Sequence, residues 1–363
     1  MVHSLTAPFL SLVNKGLTSI PSSIVADHSD VTEVILDGNP LGNLSTAILN
    51  FPKISSLSLN NIRMTEFPSD LGTLKHLKVL KINENNMEML NESIGELDEL
   101  EVLEVERCGL KVISPLIDRL KNLKVLKLSG NELTEIPDEI CKLESLRELH
   151  LSHNLITKLP ESLSSLQNLE VLNLSFNHID TLPRAIGAMR ALKRLYLTAN
   201  RLWGEFPDSV GDLASLEVLA VSKNAIESLP FSMGRLEALK ELRAERNQLK
   251  SLPAEITSLP HLRALSLAGN PLAKNDEVIK PGFPSLVDLA LTYLLRAPTG
   301  DITQLTEDLQ DDLAEPPVTC KSCKRLFFER NLYRVLTIKR LFSQNIPLLS
   351  YCCVQCNTRA KGT

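Results

Sequence analysis

The sequence predicts an α/β solenoid, a curved parallel sheet of stacked coils in a horseshoe, followed by a small cysteine-bearing C-terminal module. Three observations carry this. A leucine pattern, L-x-x-L-x-L-x-x-N-x-L, recurs at a nearly constant interval. Apolar residues make up 43% of the 363 residues and aromatics only 4%, which suits thin repeated leucine layers better than one thick core. Five of the seven cysteines, Cys320, Cys323, Cys352, Cys353 and Cys356, crowd the last 45 residues. An array of this kind grows in one dimension, so its length is no guide to domain count.

The asparagine position of the pattern falls at Asn39, Ile62, Asn85, Cys108, Asn131, Asn154, Asn177, Asn200, Asn224, Asn247 and Asn270. Successive sites are 23 residues apart, with one interval of 24 between Asn200 and Asn224. A degenerate earlier turn, Leu10, Leu12 and Leu17, opens the array, giving about 11–12 repeats over 9–280. In Leu146-Arg-Glu-Leu149-His-Leu151-Ser-His-Asn154, residues two apart share one face of a strand, so Leu149 and Leu151 point inward. The asparagine then turns the chain, and its amide pairs backbone groups of adjacent coils that would otherwise be buried unpaired. Cysteine substitutes there, which makes Cys108 structural, whereas Ile62 cannot bond and the ladder should be weakest in that coil.

Leu/Ile-Pro pairs follow the ladder, as in Ile136-Pro137, Leu159-Pro160, Leu182-Pro183, Leu229-Pro230 and Leu252-Pro253. Proline fixes φ and lacks an N–H, which suits the bend into the outer side, where a short helical segment should follow. The extra residue near Leu202-Trp203-Gly204-Glu205-Phe206-Pro207 enlarges one outer loop, with Trp203 expected to pack locally. On these motifs, residues 9–272 resemble the leucine-rich repeat family in its intracellular 23-residue type. The resemblance implies the fold strongly and a function only loosely, as this fold serves many tasks.

The exposed strand positions lie one, two, four and six residues before each ladder site. They include Lys127, His150, His153, Phe176, Arg194, Tyr196, Arg243 and Arg246. Phe176 and Tyr196 come from neighbouring coils and should lie close together. Exposed aromatics beside arginine have the composition of interface hot spots, so a protein partner is expected on this concave face. No Gly-rich phosphate loop, G-x-S-x-G or H-E-x-x-H occurs, and the chain reads as a binding protein rather than an enzyme. The net charge of −5 gives no whole-chain drive toward nucleic acid. The start shows no signal peptide, and no transmembrane run is visible, so a cytoplasmic location is expected, with the nucleus also open to the protein.

Residues 281–298 should form a helix that caps the last leucine layer, with Leu286, Leu289, Ala290 and Leu294 at helix-face spacing. Residues 299–318 read as an acidic linker, with six acidic and no basic residues from Asp301 to Glu315. Residues 319–358 then carry Cys320-x-x-Cys323 and Cys353-x-x-Cys356. Two such knuckles suit a four-thiolate zinc site, with Cys352 an alternative ligand to Cys353. So small a segment needs a staple, and zinc supplies one. Short strands are expected near 325–328, 335–338 and 346–351.

The order of repeats, helix, spacer and paired-cysteine module resembles a group of intracellular leucine-rich repeat proteins implicated as substrate receptors of cullin-RING ubiquitin ligases. That resemblance implies a helix that recruits elongin B/C through a small-L-x-x-x-C/A/S-x-x-x-aliphatic box. Ser285, Leu286, Ala290 and Leu294 fit the box, with alanine at the cysteine position. The following cullin-selecting stretch, Asp301–Leu309, keeps later leucines but lacks the leading aliphatic-Pro pair. The alternative is an intracellular scaffold in small-GTPase or phosphatase signalling with no ligase role.

Overall fold

The computed structural model describes residues 9–273, apart from 22, 25–29, 43 and 45, and beyond them the backbone of five strands. Contacts divide the chain into two units. The first takes in residues up to Asn247 together with Leu259–Gly269; the second takes in Gln248–Ser258 and the chain from Asn270 onward.

The first unit is built on a sheet of twelve parallel strands, each three residues long, stacked in chain order from Phe9–Ser11 to Ala264–Ser266. The central residue of each strand points inward. Leu149, Leu172 and Leu195 pair in register across three coils and are fully buried. Leu151, two residues past Leu149, is buried with it, as the alternation requires. The first two strands are offset by 24 residues, Phe9 opposite Glu33, so the opening coil is as long as the one at Asn200.

Beyond each strand the asparagine ladder holds the turn. Asn131 Oδ1 accepts from Cys108 N and Leu110 N at 3.0 and 3.1 Å, while Nδ2 donates to Val105 O and Leu128 O at 2.7 and 2.9 Å. At the cysteine rung, Cys108 Sγ donates to Ile82 O at 3.0 Å, the place an amide takes elsewhere. Burial pushes that thiol up to about 11, so it stays protonated and able to donate at neutral pH. At Ile62 the rung is absent, yet the chain adapts. Leu41 N bonds to Asn39 O, and Leu36 O and Leu59 O accept from Asn39 and Asn85.

The outer side consists of short 3₁₀ turns. Glu161–Ser165, Arg184–Ala188, Asp208–Asp212 and Phe231–Arg235 each follow an extended proline: Pro160, Pro183, Pro207 and Pro230. At two turns whose cap residue is not proline, a side chain caps instead: Asn91 accepts from Ser93 N and Ser114 from Leu116 N. Two parallel ribbons add to this side, Met89–Leu90 with Val112–Ile113 and Trp203–Glu205 with Ala225–Ser228. The register shifts between Gly204 and Glu205, where Glu227 of the partner strand is left unpaired, and Gly204 adopts φ +68, a conformation that suits glycine. Trp203 does not pack locally: it pairs with Ala225 and is 67% exposed.

The second unit holds a four-stranded sheet in the order Leu252–Pro253, Gln344–Cys352, Tyr333–Leu341, Glu277–Ile279. Its centre is one long antiparallel hairpin, Tyr333–Leu341 against Gln344–Cys352. The strands expected near 335–338 and 346–351 therefore run longer than their apolar cores suggested. A separate antiparallel pair joins Val318–Thr319 to Leu326–Phe327. The cap or elongin-box residues Ser285, Leu286, Ala290 and Leu294 lie outside the described residues, as do Cys320, Cys323, Cys353 and Cys356; Cys352 is described in its backbone only.

Candidate functional site

The site is assembled by repetition. The residue just before each ladder site must turn the chain sharply, and all of these residues adopt left-handed φ: Gly38, Asn61, Glu84, Arg107, Gly130, His153, Phe176, Ala199, Lys223, Arg246 and Gly269. Side chains from successive coils thus stand side by side in one exposed row. Glu84 and Arg107 pair at 3.1 Å. His153 stacks on Phe176 with ring centroids 4.2 Å apart and planes 9° apart. From two coils further on, Lys223 Nζ reaches to 5.9 Å from the Phe176 ring centroid, within the range of a cation–π contact, passing over Ala199. Phe176 remains 43% exposed in this setting.

Tyr196 is not the ring partner of Phe176. It lies in another row, in register with Asn173 on one side and Ala220 on the other. Sequence distance placed the two aromatics in neighbouring coils, but they occupy different positions along the coil. Ala220 in turn pairs in register with Arg243. Ala220 points outward yet is only 2% exposed, so the two larger side chains flanking it in register cover it. Arg243 Nε donates to Glu241 Oε1 at 2.6 Å, which raises its already high pKa.

The remaining predicted residues fall on the same face. Lys127 bonds Glu104 at 2.9 Å, and Lys81 approaches it at 3.7 Å. Burial alone would raise the Glu104 carboxyl, but the Lys127 hydrogen bond and the two lysine charges outweigh it and hold it below the usual range. His150 Nε2 lies 3.3 Å from Glu148 Oε2. Gly130 leaves an open depression of about 490 Å³ beside Arg107, His150, Ser152 and His153. Arg194 is exposed at the start of its strand, and the stem of Arg246 crosses close to Gly269.

Charge is divided along the face. Over the earlier coils its carboxylates are Glu33, Asp37, Glu84, Glu104, Glu106 and Glu148, against Lys81, Arg107 and Lys127. From Arg194 onward, Arg194, Lys223, Arg243 and Arg246 outnumber Glu241 and Glu245. Lys223 and Ala220 stood out least in the sequence. Their signal was periodicity: small residues at 199, 218, 220 and 222 mark where larger neighbours meet across them. Among the described residues no helix is long and apolar enough to cross a membrane.

This arrangement defines a class: a parallel repeat solenoid that presents a rigid, chemically varied strand face. The chain belongs to the leucine-rich repeat family. A model of a leucine-rich repeat region matches residues 43–152, and a leucine rich repeat model matches 145–202, 190–249 and 214–272. No curated protein gives a match. Among solved structures, a TDR receptor is 29% identical with a TM-score of 0.63, covering 72% of this chain and 47% of that one. The Arabidopsis receptor kinase HAESA, in complex with the peptide hormone IDA and the co-receptor SERK1, is 26% identical with a TM-score of 0.61, covering 72% and 46%. A chain of an octameric complex of Latrophilin 3, Unc5D and FLRT2 is 22% identical with a TM-score of 0.61, covering 81% and 88%, and shows the fold alone. The present chain spans just under half the length of the first two. Leucine-rich repeats are in general protein-interaction modules rather than enzymes, and this chain carries such a module.

Proposed function

We propose that this protein is the substrate-recognition subunit of a cullin-RING ubiquitin ligase, working inside the cell and holding its target on the strand face of the repeats. The observation that carries the binding half is the His153–Phe176 stack with Lys223 over it. An exposed aromatic fixed between a ring and a cation is a preorganised anchor that loses little entropy when a partner covers it. HAESA is a similar repeat array found in complex with a peptide hormone and a co-receptor, which fits recognition of a polypeptide. The ligase half rests on Ser285, Leu286, Ala290 and Leu294, which match an elongin-box pattern.

A pull-down of the full chain with elongin B/C tests it. Wild type should retain elongin, and Leu286→Ala/Ala290→Asp should lose about 90% of it; equal recovery would discard the docking role. Phe176→Ala should keep elongin and release the target. A GTPase or phosphatase recovered without any ligase subunit would favour the scaffold reading instead.

The tail is proposed to hold zinc through Cys320, Cys323, Cys356 and either Cys353 or Cys352. Two backbone features support this. The Val318–Thr319 and Leu326–Phe327 pair brackets the Cys320-x-x-Cys323 segment, and the long hairpin ends at Cys352. Zinc would stabilise a small fold rather than take part in a reaction. Metal analysis of the full chain should give about one zinc per chain, falling toward zero in Cys320→Ser. A metal-free protein from zinc-replete expression would remove zinc from this account.

A further inference from the structure

The basic half of the strand face has a shape as well as a charge. On the coil that ends at Asn224 the outward residues Val218, Ala220 and Ser222 are small and at least half-buried. Tyr196 and Arg243 stand in register on either side of Ala220. A strip of small residues therefore crosses the face, overlaid by Tyr196 and Arg243, with Phe176 and Lys223 at one edge. The cations are unequal. Lys81, Arg107, Lys127 and Arg243, the others on the face, each bond a carboxylate. Arg194, Lys223 and Arg246 bond none among the described residues.

We propose that this basic strip is the docking site for an acidic segment of a partner protein. Its carboxylates would meet Arg194, Lys223 and Arg246, and one apolar side chain would pack on the part of Phe176 left exposed between His153 and Lys223. The inference rests on the reading of the strand face as the target-binding surface, and it names the chemistry of that target. Charge complementarity selects the occupant. A cation that bonds no carboxylate on a rigid face gains a charge-assisted hydrogen bond when an acid arrives, without first breaking an internal pair. A nucleic-acid backbone fits less well. Glu241 and Glu245 lie among these cations, and Glu245 accepts from the Ser222 hydroxyl within the strip. A strand of evenly spaced phosphates would meet both carboxylates, whereas a polypeptide can place its acids selectively.

The test is fluorescence anisotropy on the full chain with three labelled probes. One is a peptide of about a dozen residues of Asp and Glu around one Phe. The second replaces each acid by its amide, and the third is an oligothymidylate of similar length. The acidic peptide should bind at least about tenfold tighter than the amide peptide, a difference of about 1.4 kcal/mol. Lys223→Glu/Arg246→Glu should weaken it about tenfold or more at an unchanged melting temperature, while Arg184→Glu/Arg190→Glu, on the outer turns, should not. Equal affinity for both peptides, indifference to Lys223→Glu/Arg246→Glu, or tighter binding of the oligothymidylate would overturn the proposal. Target capture that is lost in Phe176→Ala but kept in Lys223→Glu/Arg246→Glu would sink this inference alone. Capture unaffected by either variant would sink the reading of the face itself.

Discussion

Asn131→Leu should destabilise the repeat unit by about 3–5 kcal/mol, although leucine has the same branching and side-chain heavy-atom count and suits the core. The loss is in the backbone. The amide serves Cys108 N, Leu110 N, Val105 O and Leu128 O. Leu128 O keeps a second donor in Asn154 Nδ2 at 2.9 Å, so three groups lose their partner. Each buried orphan costs about 1–3 kcal/mol, less whatever the turn recovers by relaxing. The comparison is Ile62→Val, at a rung that never made these bonds, where about 0.5–1.5 kcal/mol should be lost to the missing methyl. Urea unfolding followed by circular dichroism measures both. If the two cost the same, the ladder's hydrogen bonds contribute no more than side-chain volume does.

That contrast bears on how much of the fold was legible in the sequence. The leucine spacing fixes which residues point inward, because a strand alternates and a coil repeats; Leu149 and Leu151 could be placed from the primary structure alone. The prolines before the outer turns were equally readable, since a fixed φ and a missing N–H suit few other places. What the pattern did not reveal is how the chain accommodates its exceptions. Ile62 looked like a gap in the ladder, but rebonding at Leu41 depends on turn geometry that no residue type announces. Trp203 looked like packing because large apolar residues usually pack, yet it lies exposed on the outer ribbon beside Ala225.

The site was legible as rows and not as contacts. Counting back from each asparagine found His153, Phe176, Tyr196 and Arg243 correctly on the outward face. It could not say that Phe176 would meet His153 rather than Tyr196. That depends on left-handed φ before each ladder site, which lines up that row and separates it from the row of Tyr196. Nor does a residue inventory show that small residues matter. Ala199 and Ala220 bear no chemistry of their own, yet they let Lys223 reach Phe176 and leave Tyr196 and Arg243 to close over the floor.

Small residues also decide the outer side, where Gly211→Val should lower stability by about 3 kcal/mol or more. Gly211 sits in the turn Asp208–Asp212, against the next turn, Phe231–Arg235. A Cβ added there would fall 2.4 Å from Ser232 O, 2.5 Å from Ser232 Cβ and 2.6 Å from Ser232 C. Those atoms are hard to move. Ser232 Oγ donates to Asp208 O at 2.6 Å, tying the two turns together at the point of contact. Relief requires adjacent coils to part, which disturbs the leucine layer beneath as well as the serine. Gly109→Ala separates this from ordinary glycine strain. Gly109 has φ +78 and open space around it, so alanine there should cost only about 1–2 kcal/mol for the left-handed backbone. Thermal melts of Gly211→Ala, Gly211→Val and Gly109→Ala should therefore rank Gly211→Val lowest. Gly211→Ala should already fall below wild type, because its single methyl meets backbone. A Gly211→Val protein that melts with Gly109→Ala would mean that the coils are free to spread, and that close packing of the outer turns does not set the spacing of the strand face.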